Sequence, residues 1–95
     1  MPYILIRHKV SDYAKWKHFV QDKAQFRKSG GETSFHAYRD SRDPNDVTIL
    51  CQWDTADKME KFIKSPELRQ AMKEAGVLGE PTIQSFSGVE DLSVR

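Results

Sequence analysis

Two of the three histidines, His8 and His36, fall in stretches of strand-like composition. A histidine beside a cavity can accept a proton near neutral pH, because its unperturbed pKa lies there. Both are therefore candidates for a general base, against the plainer account of hydrogen-bonded histidines at a strand surface. His18 falls on the polar side of a helical stretch and is read as solvated. Tyr13, Trp16, Tyr38 and Trp53 could supply an aromatic wall for a ligand, although Trp53 suits ordinary core packing equally well. Lys23 and Arg27 lie inside the apolar stripe of a helical wheel that also holds Trp16, Phe19 and Val20. Long stems covering apolar surface, with heads in water near a helix C-terminus, account for both. A functional alternative puts one of them, Arg27 more than Lys23, at a pocket mouth to bind a carboxylate or phenolate.

Other chemistries lack their residues. Cys51 is the only cysteine, so no intramolecular disulfide can form, and no adjacent base or helix N-terminus activates the thiol. No HxxxH or CxxC spacing offers a metal site, so no metal ligand is assigned. There is no glycine-rich phosphate loop and no G-x-S-x-G elbow, and no cofactor is expected. Lys plus Arg number 15 against 14 Asp plus Glu, a net charge of +1, which provides no field for a nucleic-acid backbone. The N-terminal apolar run, Tyr3 to Ile6, is too short for a signal peptide or membrane span. A cytoplasmic protein that binds neither nucleic acid nor membrane is expected.

These side chains must be positioned by one domain, residues 1–95. The hydrophobic share of 38% and charged share of 31% suit a soluble globular chain. Residues 3–10 (YILIRHKV) read as a first strand. Ser11-Asp12 offers capping oxygens to a helix whose apolar positions, Tyr13, Trp16, Phe19, Val20, Ala24 and Phe26, recur up to Gly30-Gly31. Residues 33–40 make a second strand with Phe35, Ala37 and Arg39 on one face and His36 and Tyr38 on the other. Turn formers crowd residues 40–46, and residues 47–53 form a third strand. There Val47, Ile49, Cys51 and Trp53 share a face opposite Thr48, Leu50 and Gln52. After Thr55 come two helical pieces whose apolar stripes do not align, with Ser65-Pro66 as N-cap and first helical residue of the second. Gly76 closes it, a last strand covers roughly 82–87, and a polar tail follows.

The order βαββαβ predicts a ferredoxin-like α+β fold, a four-stranded antiparallel sheet with helices on one face. Leu5 and Tyr3 lie opposite Ile4 and Ile6, and Leu50 lies opposite Ile49. The uncovered face is thus too apolar for a half-solvated sheet. A homodimer through the sheet faces is expected to cover it. RNA-recognition domains share the element order, but residues 47–53 lack their aromatic pattern.

The sequence resembles the dimeric α+β barrel superfamily, particularly the small proteins grouped with the antibiotic biosynthesis monooxygenases. The resemblance spans nearly the whole chain. It rests on the aliphatic first strand, Asp12-Tyr13 and Trp16 opening the first helix, and Gly30 ending it. The Arg39-Asp40 to Asp43-Pro44-Asn45 hairpin, Trp53-Asp54, and Ser65-Pro66-Glu67-Leu68 extend it. It implies two sheets packed into a barrel with the helices outside, a small ligand held between helices and sheet, and Trp53 lining that cavity. Haem degradation is disfavoured, because the second helical region has no histidine where such relatives supply an iron ligand. Two functions follow as expectations. One is binding of a small aromatic or polyketide-like compound, with cofactor-independent oxygenation or isomerisation; the other is a non-catalytic dimeric binding or structural module.

Overall fold

The computed structural model describes residues 1–94. The chain runs β1 (Tyr3–Val10), α1 (Tyr13–Asp22), α2 (Ala24–Gly30), β2 (Glu32–Arg39), β3 (Asp46–Trp53), α3 (Ala56–Lys64), α4 (Pro66–Glu74) and β4 (Val77–Phe86). The four strands form one antiparallel sheet in the order β2-β3-β1-β4, the expected ferredoxin-like arrangement.

Strand pairing sorts the side chains. Phe35, Cys51 and Ile4 stand in one row, and Ala37, Ile49 and Ile6 in the next. On this inner face Ile4, Ile6, His8, Val10, Val47, Ile49, Cys51 and Trp53 are all buried beneath the helices. On the outer face Tyr3, Leu5, Thr48, Leu50 and Gln52 are only half-buried. Burying the inner row is the main source of stability, since each large aliphatic side chain removed from water contributes about 1.5–3 kcal/mol.

The helix starts follow local chemistry. Asp12 accepts from the Lys15 amide, Thr55 from that of Lys58, and Ser65 from that of Leu68, each satisfying an orphan N–H of the first turn. Pro66 occupies the first turn of α4, where its missing N–H costs nothing. Gly31 closes α2 with φ +115°, and a Cβ there would stand 2.7 Å from the Lys58 side chain.

Two elements differ from expectation. The first helix bends at Lys23 (φ −94°, ψ 3°) into α1 and α2. Backbone hydrogen bonds still run from Lys23 to Phe19 and from Arg27 to Lys23, so the chain turns without uncoiling. The bend rotates Phe26 out of the apolar stripe, to 66% exposure. The last strand begins at Val77, five residues before 82. Gly79 and Pro81 read as a loop in sequence, but β4 is an edge strand, where such residues are tolerated. A bulge between the Lys9–Leu78 and Arg7–Thr82 pairs absorbs them. No helix is long and apolar enough to cross a membrane among the described residues.

Candidate functional site

A cavity of about 390 Å³ lies between the inner sheet face and the helices, within the range of ~300–1,000 Å³ typical of sites for small organic molecules. Its floor is Ile6 and His8 of β1, Ile49 and Cys51 of β3, and Phe35 of β2. Trp16, Phe19 and Val20 of α1, Phe62 of α3, and Leu68, Ala71 and Met72 of α4 close over it. Exposed residues of the bend (Lys23, Phe26) and of α4 (Gln70, Glu74) frame the rim. The Lys23 ammonium sits 5.6 Å from the Phe19 ring centre, its stem lying along apolar surface as expected.

Besides Ser65 and Glu67 at the start of α4, two buried polar groups interrupt the apolar lining. His8, 5% exposed, meets Trp16 edge to face at 5.9 Å. Its Nδ1 is buried without a hydrogen-bond partner. Burial pushes its pKa below the ordinary 6.5, partly offset by its own backbone and the Asp46 charge. The imidazole is therefore neutral at neutral pH and able to accept a proton.

The second group is the pair Arg27–Glu32. Arg27 Nε donates to Glu32 Oε1 at 2.9 Å, another guanidinium nitrogen donates to the Val20 carbonyl at 2.7 Å, and the group stacks 4.4 Å from the Phe35 ring centre. The two side chains are 13% and 7% exposed. Arg27 is therefore not snorkelling: its head is drawn inward, where it ties the end of α1 to the start of β2. Glu32 Oε2 is buried without a partner. Burial raises the Glu32 pKa above its ordinary 4.5, and the Arg27 hydrogen bond and charge oppose the rise.

The remaining sequence candidates are spread more widely. Trp53 is fully buried on the inner face but is not among the residues lining the cavity; its ring packs 4.6 Å from that of Phe62, which does line it. Tyr13 flanks the site, 5.6 Å from Trp16, with the Arg39 guanidinium 3.7 Å from its ring centre. His36 and Tyr38 are exposed on the outer face, separated from the cavity by the sheet. Cys51 is buried, and burial lifts its thiol to about 11, so it is inert at neutral pH. No group of three His, Cys, Asp or Glu side chains able to hold a metal exists among the described residues.

Glu32 is the site residue that sequence reasoning missed. Alternation from Phe35 and Ala37 places Glu32 on the outer face. The ladder slips between the Glu32–Trp53 and Ser34–Gln52 pairs, and this bulge returns Glu32 to the inner face. The one available signal was Arg27, a cation in an apolar stripe five residues before a carboxylate.

Residues 14–74 match the family model described as antibiotic biosynthesis monooxygenase. Among solved structures, the chain is similar to SnoaB, a cofactor-independent oxygenase from Streptomyces nogalater, with TM-score 0.76, 15% identity, and 96% and 95% of the two chains covered. It is also similar to an antibiotic biosynthesis monooxygenase candidate from Bordetella bronchiseptica, with TM-score 0.72, 19% identity, and coverage of 94% and 97%. A third, from Deinococcus radiodurans, gives TM-score 0.66, 18% identity, and coverage of 100% and 99%. At such identities these likenesses establish the fold alone. No curated protein sequence matches the chain.

Proposed function

The chain belongs to the antibiotic biosynthesis monooxygenase family, and from that premise we propose that it is a cofactor-independent monooxygenase acting on a small aromatic or polyketide-like compound. The observation that carries the proposal is His8, a neutral base with an unpartnered nitrogen on the floor of an apolar cavity. His8, Trp16 and Arg27 are the sequence candidates retained for the site.

The chemistry asks little beyond a base and dry surroundings. His8 takes the acidic proton of a phenol or enol. The resulting anion, exposed to an apolar environment and held against Trp16, is electron-rich enough to reduce dioxygen. A carbon–oxygen bond forms, and the proton on His8 moves to the outer peroxide oxygen to give a hydroperoxide. The O–O bond then breaks as water leaves, so a CH2 group and O2 become C=O and H2O. His8 takes the second proton from the same carbon as the O–O bond breaks and passes it to the departing hydroxide, which leaves as water. Without dioxygen the same base can return its proton to another carbon, which is isomerisation.

Oxygen uptake with a panel of phenols and anthrones distinguishes the outcomes. The proposal expects one O2 consumed per product, in metal-chelated buffer with no added flavin or nicotinamide. Binding without oxygen uptake or isomerisation would instead mean a non-catalytic binding module.

We further propose that the outer face is covered by a second copy of the chain. Leu5 and Leu50 stand opposite each other at the sheet centre, half-buried in the single chain, and Tyr38 beside them is 55% exposed. A self-complementary sheet face is the simplest cover for such a patch.

A further inference from the structure

The buried polar groups described above, His8 and the Arg27–Glu32 pair, lie at opposite ends of the cavity floor. His8 stands opposite Val47 and Glu32 opposite Trp53, which is about 20 Å apart along β3 at ~3.3 Å per residue. Between them the floor is Ile6, Ile49, Cys51 and Phe35. A ligand that fills such a site is elongated and apolar through its middle.

At the far end the chemistry of recognition is narrow. Glu32 is 93% buried by its 7% side-chain exposure, one oxygen is held by Arg27, and the other has no partner. A buried acceptor left unpaired is costly, and a ligand that satisfies it recovers that cost. The guanidinium beside Glu32, the positive charge there that might attract an anion, is committed. Two of the three guanidinium nitrogens of Arg27 are engaged, and its plane covers Phe35. A carboxylate ligand would bring a second negative charge to Glu32 in a poorly solvated space.

Resting on the reading of this cavity as a small-molecule site, we propose that Glu32 is its specificity-determining residue. Its free oxygen accepts a hydrogen bond from a hydroxyl or N–H at one end of a neutral, elongated ligand, and the site rejects ligands carrying a carboxylate there. Arg27 acts through Glu32, holding the acceptor in place.

The test compares 2-anthrol, 2-methoxyanthracene and anthracene-2-carboxylate, three probes of one shape. Each is titrated under nitrogen and followed by its own fluorescence. On the unaltered protein the anthrol should bind at least about tenfold more tightly than the ether or the acid, the worth of one hydrogen bond to a charged acceptor. Glu32→Gln keeps an oxygen for Arg27 and replaces the free acceptor with an N–H donor. It should weaken the anthrol about tenfold, leave the ether within about twofold, and tighten the acid. Equal binding of anthrol and acid to the unaltered protein overturns the proposal, and so does absence of binding by all three; neither result depends on the variant. Anthrol affinity unchanged in a folded Glu32→Gln protein overturns it as well. Selectivity governed by Glu32 without any oxygen consumption would remove the oxygenase reading and leave this one standing. Oxygen consumption with affinity indifferent to Glu32 would do the reverse.

Discussion

The two faces of the sheet are built from alternate residues of the same strands, yet they differ in almost every property. The inner face holds Ile6, His8, Ile49 and Cys51 under the helices. The outer face holds Leu5, Leu50, His36 and Tyr38, half-buried or exposed. Each face has one histidine. His8 meets an indole and an apolar cavity, whereas His36 stands opposite Leu50 on open surface. A period of two thus separates the proposed place for chemistry from the proposed place for assembly. The difference also warns that two histidines in neighbouring strands are not a pair unless their parity agrees.

The largest effect that separates the faces should appear in turnover. His8→Ala is expected to lower oxygenation by about 100- to 10,000-fold, the usual worth of a general base. His36→Ala should change turnover less than about threefold, and initial rates of oxygen uptake give both values. A larger loss from His36→Ala than from His8→Ala would place the reacting group on the outer face, and comparable losses would refute the special role of His8.

Stability and assembly should divide the same way. Trp53→Ala should cost about 3–5 kcal/mol in chemical denaturation, as a fully buried ring packed on Phe62 is lost. Leu50→Asp should leave the fold intact and dissociate the dimer. Light scattering at micromolar concentration should give about twice the 11.0 kDa chain mass for the unaltered protein and the single mass for the variant. An unaltered chain that is monomeric there would refute the covered outer face.

Acid titration sharpens the contrast at lower amplitude. The unfolded chain protonates His8 near 6.5, while the folded chain holds it neutral to lower pH. Between those values the unfolded state binds more protons, so stability falls as pH drops below about 6.5 and the loss levels off once folded His8 is protonated. His8→Gln should flatten that part of a urea-midpoint profile. Turnover should be level above 6.5 and fall on the acid side. The smallest effect belongs to Pro66→Ala, which removes no hydrogen bond and should change stability by less than about 1 kcal/mol. A larger loss in denaturation would show that the start of α4 depends on more than its Ser65 cap.

Local determinants were legible in the sequence. The caps at Asp12, Thr55 and Ser65, the proline at 66 and the alternation of β1 and β3 depend on neighbours a few residues away. They led directly to the element order and to the family. Long-range choices were not legible. That Phe62 rather than Trp53 lines the cavity depends on where α3 comes to rest on the sheet. The early start of β4 depends on its being an edge strand, since a central strand would reject Pro81. Arg27 stood out as a cation among apolar residues, but its role became clear only with Glu32 beside it. Glu32 itself was hidden by a change of parity that no helical or strand periodicity records.

That change of parity comes from one residue. Thr33 is the extra member of β2, and everything before it runs half a period out of phase with everything after. Deleting Thr33 would remove the bulge and set the glutamate directly before Ser34, still opposite Trp53 and on the inner face, while Phe35, Ala37 and Arg39 kept their rows. With Thr33 present the choice lies in the pairing: left out of the ladder, it leaves Glu32 facing the cavity, and set opposite Trp53 it would turn the carboxylate to the other surface. The acceptor at the cavity end is therefore set by which residue the ladder leaves unpaired, something that counting substitutions would overlook.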